Sequence, residues 1–182
     1  LVSLVGRYWA MDRDKRWERV RRAYDLLVKG VGNPVSDMPD AVRVSYRQGI
    51  TDEFLEPQYL TDAHGVAVGR IRPHDAVVFV NFRNDRAKEL TTVLTQEPKL
   101  DFEMEPMPLY FCTMTPYDPT YKGLHVLFPK ENVVNTIGEW VSAQGLRQLR
   151  IAETEKYAHV TFFLNGGREA PYEGEDRILV PS

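Results

Sequence analysis

The strongest constraint on the fold is the stretch 75–94, in which the apolar spacing changes from that of a strand to that of a helix. Residues 76–82 are an almost unbroken series of β-branched and aromatic side chains, which predicts a buried strand. Asn84 or Asp85 can cap the helix that follows. Its predicted buried face consists of Ala87, Leu90 and Leu94. A strand that passes directly into an amphipathic helix predicts an α/β fold.

Two arginines lie where this helix is predicted to begin. Arg83 and Arg86 fall at or just inside its first turn, where a cation faces the positive end of the helix dipole and loses roughly a few tenths of a kcal/mol. An anion bound by both guanidinium groups and the free backbone N–H groups would reverse the sign of that effect. Alternatively, both arginines are solvated and paired with Asp85 and Glu89. The spacing alone leaves both interpretations open.

The beginning of the chain repeats the same plan. Residues 1–5 predict a strand, and an amphipathic helix follows that Gly30 ends. Arg7 and Arg13 lie in the turn between them. In open α/β sheets, ligands bind beyond the carboxyl ends of the strands. Two such turns on neighbouring strands therefore predict an anion site with four guanidinium groups.

Other helix boundaries follow from capping residues. The predicted capping residues are Asp12 or Asp14 for the first helix, Ser36 for a helix that runs to about Gln48, and Thr136 with Glu139 for a helix over 137–143 that Gly145 closes. In the helix after Ser36, a spacing of four predicts a buried face of Met38, Val42 and Tyr46.

The remaining segments are assigned from apolar runs and turn residues. The predictions are a loop at 30–36, a hairpin turn at 62–65, a connecting loop at 96–108, buried strands at 109–115 and 124–128, an interdomain hinge at 129–135, and strands at 146–152 and 177–181. For residues 152–167 a helix competes with a strand, and we favour the helix because Tyr157, Val160, Phe163 and Leu164 then share a face. Lys156 lies in the first turn of this helix, as Arg83 and Arg86 do in theirs. Alternatively, Lys156 is a solvated lysine paired with Glu153 or Glu155.

Composition excludes several classes of function. A net charge of −3 and a pI near 5.9 argue against non-specific nucleic-acid binding, and no apolar run is long enough for a membrane span. Cys112 is the single cysteine, which predicts a reducing compartment and no disulfides. The carboxylates near residue 53 have no histidine at ligand spacing, so we predict no metal site there. No serine, cysteine or histidine occupies a recognisable nucleophile motif.

Three segments, GRYWAMDRDKRWERV, VVFVNFRNDRAKEL and the run from RQLRIAETEKYAHV to the end of the chain, resemble the cofactor-independent phosphoglycerate mutases. These are two-domain, metal-dependent members of the alkaline phosphatase superfamily. The resemblance implies a cytoplasmic glycolytic isomerase, monomeric at full length, that interconverts 2- and 3-phosphoglycerate. It further implies a phosphoserine intermediate and two manganese ions.

Individual site residues are also implied by this resemblance. Arg7 and Arg13 in GRYWAMDR, with Arg83 and Arg86 in RNDR, match the arginines that bind the substrate. Lys156 in AETEKYAH matches the lysine that meets the transferring phosphoryl group at the domain interface. Guanidinium forks suit both the carboxylate and the phosphate of such a substrate, which agrees with the interpretation from spacing.

The resemblance implies that residues 1–130 are the later part of a substrate-binding α/β domain, with helices packed on a mixed sheet. Residues 131–182 would be a hinge and a segment of the phosphatase-like metal domain. The serine nucleophile and the manganese ligands would lie outside this chain, whose partner is the remainder of its polypeptide. Since the chain begins inside an apolar run without a methionine, we expect an internal piece of a longer polypeptide. Since the nucleophile and the manganese ligands would lie elsewhere, we expect this piece to be inactive alone.

Two other functions remain open from the residues. One is a different phosphomutase or phosphatase of the same superfamily, with the same metal and serine chemistry acting on another substrate. The other is a non-enzymatic module that binds a phosphorylated metabolite.

Overall fold

A computed structural model describes residues 1–129 and 133–181. The chain divides into two compact units, Leu1–Pro129 and Lys130–Ser182. The predicted hinge at 129–135 lies partly outside the described residues.

The first unit alternates short strands with helices. Its elements are β1 (Ser3–Leu4), α1 (Arg7–Ala10), α2 (Trp17–Tyr24) with a π-helical extension (Asp25–Lys29), β2 (Asn33–Val35), α3 (Met38–Arg47), a 3₁₀ turn (Asp52–Phe54), β3 (Gln58–Leu60), β4 (Ala76–Phe79), α4 (Lys88–Thr95), a second 3₁₀ turn (Leu100–Phe102), β5 (Tyr110–Thr113) and β6 (His125–Val126). The elements of the second unit are α5 (Ile137–Ala143), β7 (Gln148–Glu153), α6 (Thr154–Ala158) with a π-helical extension (His159–Phe163), and β8 (Glu175–Val180).

The strands form both parallel and antiparallel pairs. In the first unit β3 lies between β1, which is antiparallel to it, and β2, which is parallel to it. A separate sheet has the order β4-β5-β6 with all pairs parallel, in a register that places Val77 opposite Phe111. The predicted α/β architecture is therefore confirmed.

The core of the first unit lies between α2, α4 and strand β5. Its buried members are Val20, Ala23, Tyr24, Leu90, Val93, Leu94, Met104 and Phe111. The polar end of Tyr24 is satisfied, because its hydroxyl donates to the backbone oxygen of Glu105 at 2.7 Å. The predicted face of α4 is confirmed, since Ala87, Leu90 and Leu94 are all buried.

The central strand is shorter and more exposed than the sequence predicts. It ends at Phe79, and Val77 and Phe79 pack on the core while Val78 is 55% exposed. A strand is buried on both faces only when a layer covers each face. Here the core packs on one face, so the uniform apolar run produces an alternating burial pattern.

Two predicted helix starts are wrong. Helix α4 begins at Lys88, after a turn in which the Ala87 N–H donates to the Asn84 oxygen at 3.0 Å, so neither Asn84 nor Asp85 caps it. Arg83 and Arg86 consequently precede the helix. Helix α2 begins after Arg16 and not at an aspartate. Both aspartate predictions fail because Asp85 and Asp12 bind other groups, described below.

Helix α3 and the segment before it also differ from prediction. Asp37, and not Ser36, caps α3 by accepting the Asp40 N–H at 2.7 Å. Its buried residues are Met38, Ala41 and Ser45, whereas Tyr46 is half exposed. Part of the predicted loop 30–36 forms strand β2 through pairing with β3.

The second unit follows its sequence signals closely. Thr136 caps α5 by accepting the Glu139 N–H, as predicted, whereas Glu139 accepts the N–H of Asn135, one residue before the position that a capping box requires. Strands β7 and β8 pair in parallel, and the helix preferred for 152–167 is confirmed as α6 and its extension. Its predicted apolar face is partly exposed, with Phe163 at 57%.

The core assignment predicts unequal roles for two leucines. Leu94→Ala should lower the free energy of unfolding by about 2–5 kcal/mol, because it leaves a cavity beside Val93. Leu100→Ala is the matched control, since Leu100 is 68% exposed and should change stability by less than about 0.5 kcal/mol. Urea denaturation followed by tryptophan fluorescence measures both. Equal effects would contradict the assigned core.

Candidate anion-binding site

The loop at Met11–Arg16, which we call the Arg13 loop, is organised by Asp12. Asp12 is 4% exposed, and its Oδ2 accepts the backbone N–H groups of Asp14 and Arg16, both at 2.9 Å. Burial acts to raise the pKa of Asp12, but these hydrogen bonds outweigh it and hold that pKa below its ordinary value. Asp12 thus shapes the turn that presents Arg13, whose side chain is 41% exposed.

The segment between β4 and α4 presents the other predicted arginine pair. Tyr117 fixes the start of this segment, because its buried hydroxyl donates to the backbone oxygen of Asn81 at 2.6 Å. The Asn81 amide in turn donates to the backbone oxygen of Arg83 at 2.7 Å. The Arg83 side chain is 65% exposed on this fixed backbone.

Asp85 brings two of the predicted arginines together. Arg83 donates through Nε to Oδ1 at 2.7 Å and through Nη2 to Oδ2 at 3.1 Å, while Arg13 Nη1 donates to Oδ2 at 3.2 Å. Burial acts to raise the pKa of Asp85, but the hydrogen bonds from both arginines lower it below the ordinary value. Two guanidinium groups from distant parts of the chain therefore converge on one carboxylate.

Arg86 connects the same two segments through the backbone. Its Nη1 donates to the Met11 oxygen at 3.0 Å, at the start of the Arg13 loop. The site accordingly combines Arg13, Arg83 and Arg86. It presents exposed guanidinium edges that can bind the oxygens of a carboxylate or a phosphate.

Arg7 has a different partner. It begins helix α1, and its Nη2 donates to Glu53 at 3.2 Å. Arg7 and Glu53 line an open cleft of about 450 Å³ together with Thr51 and Asp52. The described contacts therefore link three of the four arginines, and Arg7 is held separately by an acidic segment.

Lys156 belongs to the second unit. It lies in the first turn of α6, directly after β7, as the sequence predicts. Its side chain is 62% exposed, and Nζ donates to Glu155 at 2.8 Å. This is the ion pair of the solvated alternative, and it leaves the ammonium group accessible to an anion.

Sequence reasoning missed the role of Glu89, which it treated as a solvated partner for the arginines. Glu89 is 7% exposed, and its Oε1 accepts the Lys15 N–H at 2.8 Å. Burial raises the pKa of Glu89 to about 7, and the nearby carboxylates of Asp12 and Asp14 add to the shift. The spacing of four between Glu89 and the core residue Val93 could have indicated its buried position.

The described residues contain no cluster that suits a metal ion. Within 1–129 and 133–181, no three histidine, cysteine, aspartate or glutamate side chains lie together in a suitable arrangement. Over the same ranges, each helix is too short or too polar to cross a membrane.

Comparison with known proteins gives consistent matches. Residues 1–119 match the family described as BPG-independent PGAM N-terminus (iPGM_N). The chain is 60% identical to a 2,3-bisphosphoglycerate-independent phosphoglycerate mutase of Bacteroides fragilis, over 100% of this chain and 36% of that protein. A relative with the same name in Acetivibrio thermocellus is 50% identical, again over 100% of this chain and 36% of its own length.

A solved structure agrees with these matches. The fold is similar to that of Leishmania mexicana phosphoglycerate mutase, crystallised at low cobalt concentration, with a TM-score of 0.74 and 29% identity. The match covers 100% of this chain and 34% of the Leishmania chain. The chain thus spans about a third of the length of the relatives it matches.

The raised pKa of Glu89 predicts a pH-dependent stability. Between its ordinary pKa of 4.5 and about 7, the folded protein holds a proton that the unfolded chain has lost. The free energy of unfolding should therefore fall across this range, by at most about 3 kcal/mol relative to a Glu89→Gln variant that cannot ionise. Urea denaturation at a series of pH values measures this difference.

The matched control is Glu97→Gln, since the Glu97 side chain is 59% exposed. Its stability should follow that of the unmodified protein at each pH. A constant difference between the unmodified protein and Glu89→Gln across the range would contradict the assigned ionisation.

Proposed function

The chain belongs to the BPG-independent phosphoglycerate mutase N-terminal family, and on that basis we propose that it is the substrate-binding part of an enzyme that interconverts 2- and 3-phosphoglycerate. The observation that carries this proposal is the convergence of Arg13 and Arg83 on Asp85, with Arg86 joining the two segments. A phosphoglycerate offers a carboxylate and a phosphate, and both are ligands for guanidinium forks.

In this proposal Asp85 orients Arg13 and Arg83 for the substrate. Its carboxylate binds both guanidinium groups and so restricts the conformations of two side chains that are otherwise exposed. A substrate oxyanion competes for the same N–H donors, and it replaces one anionic partner with another. The arginines are thereby oriented before binding, which reduces the entropy lost when the substrate is held.

The proposal assigns different parts to the two units. Residues 1–130 act as the later part of the substrate-binding domain, with Arg7 as a further contact on the substrate. Residues 131–182 act as a hinge and a segment of the metal domain, and Lys156 meets the transferring phosphoryl group there. A lysine at this place offsets negative charge during the transfer.

The metal chemistry is proposed to lie elsewhere in the polypeptide. The family is metal-dependent, and we propose two manganese ions together with a serine that forms the phosphoserine intermediate. The described residues of this chain do not fit those ions, so no metal-dependent step is assigned to them. A glycolytic enzyme of this kind is expected to act as a monomer in the cytoplasm.

The direct test is an isomerisation assay with the full-length polypeptide that contains this chain. We expect conversion of 3-phosphoglycerate to 2-phosphoglycerate, followed by phosphorus NMR, and we expect a chelator to abolish it and manganese to restore it. Hydrolysis to glycerate and phosphate without isomerisation would instead identify a phosphatase. Tight binding without either reaction would identify a binding module.

Arg83→Ala tests the site itself. Removing a charge-assisted contact worth roughly 1.5–3 kcal/mol should lower kcat/KM by about 10- to 150-fold. Arg43→Ala is the matched control, because Arg43 is an exposed arginine of the same unit whose side chain lies 4.0 Å from Asp40. Unchanged kinetics for Arg83→Ala, or equal losses for both variants, would show that the site is misplaced.

A further inference from the structure

The Arg13 loop is attached to helix α4 through a pair of buried carboxyl groups. Glu89 belongs to the first turn of α4, and its Oε1 accepts the Lys15 N–H of the loop at 2.8 Å. Asp12 lies within the loop and accepts the N–H groups of Asp14 and Arg16. The two carboxyl groups also interact electrostatically, and both residues are at least nine-tenths buried.

We propose that Glu89, as a protonated acid that donates to the Asp12 carboxylate, is a positioning residue that holds the Arg13 loop on α4 and so places Arg13 for substrate. This inference rests on the proposed function for the identity of the substrate. The attachment of the loop to α4 is independent of the substrate and can be measured separately.

The charges around the pair require one proton between them. Asp12, Asp14 and Tyr121 face Glu89 from the surrounding elements, and none of them supplies a positive charge. Arg19 is the cation that approaches the pair, with Nη1 at 3.5 Å from Asp12 Oδ1. Among the described residues Arg19 forms its ion pair with Asp12, so ionisation of Glu89 as well would place two buried negative charges beside one cation, which is unfavourable.

The geometry indicates which group holds the proton. Asp12 accepts two backbone hydrogen bonds of 2.9 Å, which stabilise its ionised form. Glu89 has one oxygen bonded to the Lys15 N–H, while its Oε2 is buried and accepts no hydrogen bond from the described residues. Because Oε2 accepts no hydrogen bond from the residues that the structure describes, it can carry the proton and donate it in a hydrogen bond to the Asp12 carboxylate.

Loss of the Glu89 proton should weaken the attachment of the Arg13 loop as pH rises. Above a pH of about 7, Glu89 and Asp12 are both negative and repel each other in a buried setting. The ionised carboxylate accepts the Lys15 N–H more strongly, but burial and repulsion from Asp12 outweigh that gain, so the backbone that bears Lys15 and Arg13 moves away from α4. Substrate binding through Arg13 should therefore weaken as pH rises, while groups that act on the transferring phosphoryl group are not displaced.

The first test uses amide hydrogen exchange of the full-length protein. In the Glu89→Gln variant the introduced side-chain amide donates to Asp12 at every pH, so the variant keeps the attachment without ionising. At each pH, we divide the exchange rate of the Arg13 loop in the unmodified protein by the rate of the same loop in the Glu89→Gln variant. This ratio should rise about fivefold or more between about pH 6 and pH 8. The division removes the intrinsic dependence of amide exchange on pH. A constant ratio would overturn the proposal.

Two further variants support this reading of the exchange data. Glu97→Gln is the matched control, and its loop should exchange like that of the unmodified protein at both pH values. Asp12→Asn removes the charge that repels ionised Glu89, so the pH-dependent rise should shrink in that variant. A full rise in Asp12→Asn would overturn the pairing of the two carboxyl groups.

The second test is kinetic and uses the same pH range. The ratio of KM in the unmodified enzyme to KM in Glu89→Gln should rise about three- to tenfold, while the ratio of kcat values stays constant. The ratio cancels the titration of the substrate phosphate and of the metal site. A rise in loop exchange with a constant KM ratio would overturn the positioning role.

Failure of the full-length protein to isomerise phosphoglycerate would refute the proposed function, and the exchange experiment would still decide whether Glu89 attaches the loop.

Discussion

The packing of α2 against α4 is the interaction on which the site depends. Val20, Ala23 and Tyr24 of one helix share a core with Leu90, Val93 and Leu94 of the other. Because the two helices are packed together, the loops that precede them are also adjacent. Arg13 and Arg83, which are 70 residues apart in the sequence, therefore reach the same carboxylate.

The polar contacts above this core then determine the orientation of each arginine. Asp85 accepts from Arg13 and Arg83, and Arg86 donates to the backbone of the Arg13 loop. The buried Glu89 of α4 also binds this loop, by accepting the Lys15 N–H. An apolar core thus sets the distance between the segments, and a small set of charged groups sets the direction of the guanidinium forks.

Several features could be predicted from sequence because they depend on neighbouring residues. The cap of α5 by Thr136 and the apolar face of α4 are of this kind. The start of α4 could not be predicted in the same way, because Asp85 is a good capping residue that two arginines bind instead. Val78 was predicted to be buried and is exposed, since burial depends on which layers cover the strand. Glu89 was missed because its partner Asp12 is distant in the sequence.

The central claim is that the arginines joined by Asp85 bind the anionic groups of a phosphoglycerate. The most direct measurement is a crystal structure of the full-length polypeptide with 3-phosphoglycerate bound. We expect carboxylate or phosphate oxygens within hydrogen-bond distance of Arg13 and Arg83, with at least one of these arginines released from Asp85. Substrate bound elsewhere, with Asp85 still holding both arginines, would contradict the account.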